Sequence, residues 1–204
     1  MHRWSIVLAA TLCAGTLQAA DGPTPLTAET LWQIQRLGAP TISPDGESAV
    51  VAVTTYDVEE DEGTSQLWLI DTDDGDARQL TSGTESSSSP VWSPDGRHVA
   101  FLSKREEDAK NQLYVLPMTG GEARKLADVP TGVATPKWLP DSSGLVFISR
   151  VWLDLEDWEA QGERMEERAE SKMTAMVWDK PVIRWWDHWV DDRKAHLFRI
   201  GLDG

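Results

Sequence analysis

Nine consecutive residues near the end of the chain, Arg184-Trp185-Trp186-Asp187-His188-Trp189-Val190-Asp191-Asp192, bring together three indoles, an arginine, a histidine and three carboxylates. Indole faces grip apolar side chains, and a carboxylate holds an ammonium through charge-assisted hydrogen bonds. Such a stretch either packs the inside of a fold or lines a chamber that receives a peptide by its side chain and free amino end. Trp185, Trp186, Asp187, Trp189 and Asp191 are its candidate binding residues. Just upstream, Trp158, Met165, Ala169, Met173 and Met176 fall near one helical face, with Glu163, Glu166, Glu167 and Glu170 around the rest. That pattern predicts an amphipathic helix carrying carboxylates.

Chemistry of other kinds is missing. No Gly-x-Ser-x-Gly elbow occurs, and the run Ser86 to Ser89 has no neighbouring base to activate it. His98, His188 and His196 lack zinc-site spacing, and no cofactor or metal is implied. The stretch Asp71-Thr72-Asp73-Asp74-Gly75-Asp76 falls short of a calcium loop, because Gly75 comes one place early and Ser82 stands where Glu is needed; it reads as a solvated turn. No catalytic residue is expected within this chain.

The elements that would position these residues repeat. Ser-Pro-Asp-Gly stands at Ser43 to Gly46 and at Ser93 to Gly96, and a degenerate copy, Leu139-Pro140-Asp141-Ser142-Ser143-Gly144, follows; the starts at 43, 93 and 139 give spacings of 50 and 46 residues. Proline presets a type I turn, and glycine takes the left-handed position that lets a strand restart. Pro40, Pro90 and Pro136 precede the turns, and Trp92 and Trp138 share an offset in the last two copies. Apolar strands follow at Ala49 to Val53, Val99 to Leu102 and Leu145 to Ile148. Third strands recur at Gln66 to Ile70, Gln112 to Leu116 and His196 to Ile200, and fourth strands at Ala77 to Thr81 and Ala123 to Ala127.

Four short strands in each repeat of this length predict an all-β fold, a β-propeller of four-stranded blades. Blade 1 is expected over 39–83, blade 2 over 89–128 and blade 3 over 134–204, the last interrupted by an insertion at 150–194. A large propeller of this period takes roughly 320 to 400 residues, so the chain reads as the front end of a longer protein. A lead-in helix is expected within 21–38, from Thr27 as N-cap to Gly38 as stop, with Leu31, Ile34 and Leu37 on one face.

Residues 1–20 read as a secretory signal peptide: His2 and Arg3, an apolar run from Trp4 to Leu12, then small residues ending at Ala19 and Ala20. Cleavage would remove Cys13, the single cysteine, and leave a secreted or periplasmic protein without disulfides and without a membrane segment. The formal charge of −15, with basic residues never clustered, argues against a nucleic-acid partner.

The lead-in Leu31-Trp32-Gln33-Ile34 with Gly38-Ala39-Pro40, the repeated Trp92-Ser93-Pro94-Asp95-Gly96, and Trp185 to Asp191 leading into His196-Leu197-Phe198 resemble the prolyl oligopeptidase family of serine peptidases, in its acylaminoacyl-peptidase and dipeptidyl-peptidase V-like branch. The resemblance implies a C-terminal α/β-hydrolase domain bearing a Ser, Asp and His triad, short peptides as substrates, and a propeller that filters them by size. In some relatives acidic residues on a propeller insertion bind the substrate's ammonium, a role that would fall to Glu166 and Glu167, or to Asp187 and Asp191. The competing expectation is a non-catalytic periplasmic propeller of the TolB-like kind, which binds proteins and has similar blades. A long tryptophan-rich insertion favours the peptidase, since a scaffold keeps its links short.

Overall fold

The computed structural model describes residues 26–105, 108–172, 183–185, 188–189 and 192–203. The segment read as a signal peptide lies outside them. Among the described residues three antiparallel sheets follow one another along the chain, and a fourth, two-stranded one lies within the link of the third. The first joins β1 (Arg36–Leu37), β3 (Ser48–Asp57), β4 (Glu62–Asp71) and β5 (Ala77–Gln79), with β2 (Thr41–Ile42) also paired to β3. The second runs β6 (Ser87–Trp92), β7 (His98–Ser103), β8 (Gln112–Pro117), β9 (Arg124–Lys125). The third contains β10 (Ala134–Trp138), β11 (Gly144–Val151) and β14 (Lys194–Gly201). The described part is thus all-β, three consecutive propeller blades, with short helix α1 (Ala28–Gln33) in front and α2 (Trp158–Glu170) inserted in the third.

The apolar runs make sense once the sheets stack. Val99 and Phe101 of β7, with Tyr114 and Leu116 of β8, pack on Val50, Ala52 and Leu67 of blade 1. Their neighbours Ala100 and Leu102, with Leu113 and Val115, pack the opposite way on Leu145 and Phe147 of blade 3. A sheet covered on both faces needs a continuous apolar strand rather than an alternating one. Each fully buried large side chain contributes about 1.5–3 kcal/mol.

The repeated turn is a polar clasp that also links blades. Ser93 Oγ, fully buried, donates to Asp95 Oδ1 at 2.6 Å and accepts from His98 N–H at 2.9 Å, while Arg97 N–H reaches Asp95 Oδ1 at 3.1 Å. Ser43, Asp45, Glu47 and Ser48 repeat this arrangement at 2.5 to 3.1 Å. The serine hydroxyl is the main reason both aspartates are held below the usual carboxylate range. In the degenerate copy Leu139 replaces the serine, Ser143 Oγ takes over the bond to Asp141 at 2.7 Å, and Ser142 adopts the left-handed φ of 59° that glycine holds elsewhere. Asp95 N–H donates to Ser142 Oγ of the next turn at 3.1 Å, and Trp138 Nε1 donates to Val91 O across blades 2 and 3 at 3.0 Å.

Several elements differ from the sequence expectation. The lead-in helix stops at Gln33 because Arg36 and Leu37 pair instead with Thr54 and Val53, where a ladder satisfies their backbone. Its apolar face is not buried: Leu31 and Ile34 are exposed, and Trp32 meets Tyr56, edge to face at 5.4 Å, with the Arg36 guanidinium over both rings. The fourth strands are shorter than expected. Past Lys125 the chain turns inward so that Leu126 enters the core, keeping one bond, Leu126 N–H to Leu113 O at 2.8 Å. Pro90 and Pro136 each follow a residue in the left-handed region, Ser89 and Thr135 at φ 53° and 52°, where the register of β6 and β10 slips by a bulge.

Strand direction sets the ends apart. The Ser-Pro-Asp-Gly turns close the first hairpin of each blade at one end, so the link between second and third strands leaves from the other. In blade 3 that link is the insertion.

Candidate functional site

The insertion departs after Val151 and returns at Lys194, residues that face each other at the end of the β11–β14 ladder. Asp157 caps α2 by accepting from Ala160 N–H at 2.8 Å. From there helical spacing divides α2 into two working faces.

Gln161, Arg164 and Arg168 form the face that anchors the helix to blade 3. Gln161 is buried, accepts from Trp152 N–H at 3.1 Å and donates to Trp152 O at 2.8 Å and Leu155 O at 3.1 Å. The Trp152 ring lies under three guanidiniums, those of Arg164, Arg168 and Arg193, at 5.4, 5.0 and 5.5 Å. Arg164 makes a two-pronged pair with Asp154 at 3.1 and 3.0 Å, and those bonds hold the Asp154 carboxyl below its ordinary range. Arg168 pairs with Asp192 at 2.9 Å. Burial raises the Asp192 carboxyl, but the adjacent Trp152 indole and the Arg168 charge outweigh it and leave the group lowered. Trp152 Nε1 is near enough for that effect while lying outside hydrogen-bond geometry.

Gly162, Met165, Glu166 and Ala169 form the other face, which looks across a cleft of about 800 Å³ at blade 2. Gly162 packs on Pro130; a Cβ there would stand 3.4 Å from the proline ring. The opposite wall carries Asp108, Ala109, Lys110 and Gln112 from the β7–β8 link and the start of β8, with Lys125, Asp128 and Pro130 beside them. Asp108 forms the floor, its side chain 3% exposed, accepting from Lys125 Nζ and the Tyr114 hydroxyl, each at 2.8 Å. Burial pushes the Asp108 carboxyl up; the bonds from Lys125 and Tyr114 and the Lys125 charge overcome this and hold it down. The same bond raises Lys125, which also lies 3.6 Å from Asp128.

A smaller hollow of about 240 Å³ lies where α2 meets β14, walled by Trp152, Trp158, His196 and Phe198. Trp158, expected to share a face with Met165 and Ala169, instead tilts onto Phe198 at 4.8 Å. Met173 and Met176 lie outside the described residues.

The structure separates the two glutamates that the sequence pairs. Glu166 lines the cleft, whereas Glu167 is not part of its lining and its charge acts on Arg164. Trp185 and Trp189 belong to a small ladder, β12 (Ile183–Trp185) with β13 (His188–Trp189), in which Trp185 faces His188 and Trp189 faces Ile183 in register. Trp186, Asp187 and Asp191 lie outside the described residues. Asp108, Lys110, Lys125, Trp152 and Gln161 were not anticipated from sequence, because they come from different strands and links and have no shared spacing. Among the described residues, no group of three His, Cys, Asp or Glu side chains could hold a metal ion, and no helix is long and apolar enough to cross a membrane.

Residues 33–174 match the family model described as the TolB beta propeller domain. The chain belongs to that family. Its curated relatives are peptidases. It is 38% identical over 81 residues to an uncharacterized peptidase, YuxL, of Bacillus subtilis, a match covering 40% of this chain and 12% of the relative. It is 33% identical over 78 residues to dipeptidyl-peptidase 5 of Porphyromonas gingivalis, covering 38% of this chain and 11% of that protein. The matches thus span about an eighth or less of those relatives' length. In three dimensions the chain superposes on the acylaminoacyl peptidase of Pyrococcus horikoshii with a TM-score of 0.62 at 17% identity, over 85% of this chain and 24% of that one. That likeness is one of fold.

Proposed function

We propose that this chain is the substrate-gating propeller portion of a secreted or periplasmic serine exopeptidase of the prolyl oligopeptidase type, acting on short peptides as a dipeptidyl- or acylaminoacyl-peptidase. The catalytic triad would be supplied by a C-terminal α/β-hydrolase domain of the same polypeptide. The observation that carries the reading is α2: an inserted helix, bolted to blade 3 through Trp152 and Gln161, that presents Glu166 to a cleft at the end of the blades away from the repeated turns. A carboxylate on a rigid helix is suited to receive a peptide's ammonium, and short loops elsewhere leave this as the part of the fold built for a ligand. The peptidase relatives support the reaction class.

The test is to express the complete gene product, label it with a fluorophosphonate probe and assay dipeptidyl and N-acyl chromogenic substrates. Labelling with release of chromophore is expected. Replacing Glu166, Glu167, Asp187 and Asp191 singly with Ala should raise KM for free-amino substrates about tenfold at the residue that holds the ammonium. Unchanged kinetics for all four would remove the ammonium role.

A second reading, compatible with membership of the TolB beta propeller family, is a non-catalytic propeller that binds proteins. It predicts neither labelling nor hydrolysis, and capture of a partner by the intact propeller.

A further inference from the structure

The cleft has two poles. In its floor Lys125 is shared by Asp108 at 2.8 Å and Asp128 at 3.6 Å, so this trio carries one net negative charge and has no cation to spare. That leaves Lys110 on the blade 2 wall and Glu166 on α2, both exposed, both lining the cleft, and neither ion-paired among the described residues. Ala109, Pro130, Met165 and Ala169 add apolar lining. A volume of about 800 Å³ falls in the range of small-molecule sites, about 300–1,000 Å³.

We propose that this cleft binds short peptides with both termini free, the ammonium received by Glu166 and the carboxylate by Lys110, with the side chains against Met165 and Pro130. The proposal rests on the peptidase reading for the ammonium pole and adds the second pole and the ligand class. A cation and an anion on opposing walls are the complement of a zwitterion, and each supplies a charge-assisted bond. Selection for shortness then follows from charge: a longer chain can satisfy Glu166 or Lys110 with a terminus, but not both from within the cleft. Lys125 is a poorer partner for the carboxylate than Lys110, because Asp108 at 2.8 Å and Asp128 at 3.6 Å already more than balance its charge.

The test is calorimetric titration of the complete chain with Ala-Leu, N-acetyl-Ala-Leu and Ala-Leu-amide. Ala-Leu is expected to bind about tenfold more tightly than either capped form, as loss of one charge-assisted bond requires. Lys110→Gln should abolish the preference for the acid over the amide and keep the preference for the free amine. Glu166→Gln should do the reverse. Both side chains are exposed, so the variants are expected to fold, and circular dichroism checks this. Equal affinity for the three peptides, no binding of Ala-Leu at millimolar concentration, or a Lys110→Gln variant that still distinguishes acid from amide overturns the proposal. Because binding is read without cleavage, an inactive propeller can still show the pattern and an active peptidase can lack it, so the two proposals fail separately.

Discussion

Blade 2 and blade 3 share a frame and differ at one end of it. In each, the second and third strands form the central ladder, His98 to Ser103 against Pro117 to Gln112, and Gly144 to Val151 against Gly201 to Lys194. In blade 2 the ladder is joined by residues 104–111; in blade 3 the same junction holds residues 152–193. The ladder is complete before the insertion begins, and the entropy of closing a loop grows only slowly with its length, so the frame accepts the addition. At the other end the blades are constrained by their neighbours: Asp95 bonds Ser142, and Trp138 bonds Val91. The long insertion lies at the end away from these turn-to-turn bonds.

The largest expected effect separates the two cores. Phe101, fully buried between blades 1 and 2, should lose about 4 kcal/mol on replacement by Ala. Phe198, half-buried on the third strand of blade 3 where Tyr114 stands in blade 2, should lose about half as much, read by denaturant unfolding of the chain. Equal losses would break the comparison.

Next is Gly144→Ala. A Cβ there would stand 2.2 Å from Ile200 O, so β11 and β14 must separate, with a loss of about 3 kcal/mol in the same measurement. His98 fills the equivalent place in blade 2, which shows that the tight approach belongs to blade 3 alone of the pair.

Gln161→Ala should lose about 2 kcal/mol, because Trp152 N–H and C=O are left buried without their partner. Hydrogen exchange should accelerate in α2 and remain slow in β7 and β8. Acceleration throughout would mean that the insertion supports the frame rather than being carried by it. Ser93→Ala should lose about 1 kcal/mol of stability through the lost clasp, whereas Leu139→Ala removes no such bond and should leave the turn hydrogen bonds intact by amide exchange.

The smallest effect concerns acid. The Asp108 carboxyl lies below its ordinary value in the folded chain, so its contribution is present above the unfolded value of about 3.9 and disappears as pH falls through the lower folded value. Asp108→Asn should flatten the stability profile of the chain below about pH 4, measured by thermal unfolding against pH.

Much of the frame was legible because it rests on local rules. Proline, aspartate and glycine at fixed offsets specify the turn, and strands beside it carry the residues a doubly covered sheet demands. The lead-in helix was overestimated because Arg36 and Leu37 found a ladder partner in β3, a choice set by contact rather than propensity. The insertion helix was visible in its period, yet its apolar members divided: Met165 and Ala169 went to the cleft and Trp158 to Phe198.

From residue order alone came the blade period, the reused corner, the strand positions and the presence of a carboxylate-bearing helix, all of which depend on neighbours a few positions apart. Folding in space decided that Glu166 and not Glu167 faces the cleft, since successive helical residues point about 100° apart. It also decided that Lys110 stands on the facing wall, that Asp108 and Lys125 meet, and that three arginines converge on Trp152. Those groupings join distant segments, and only the stacking of one blade on the next brings distant segments within reach of a hydrogen bond.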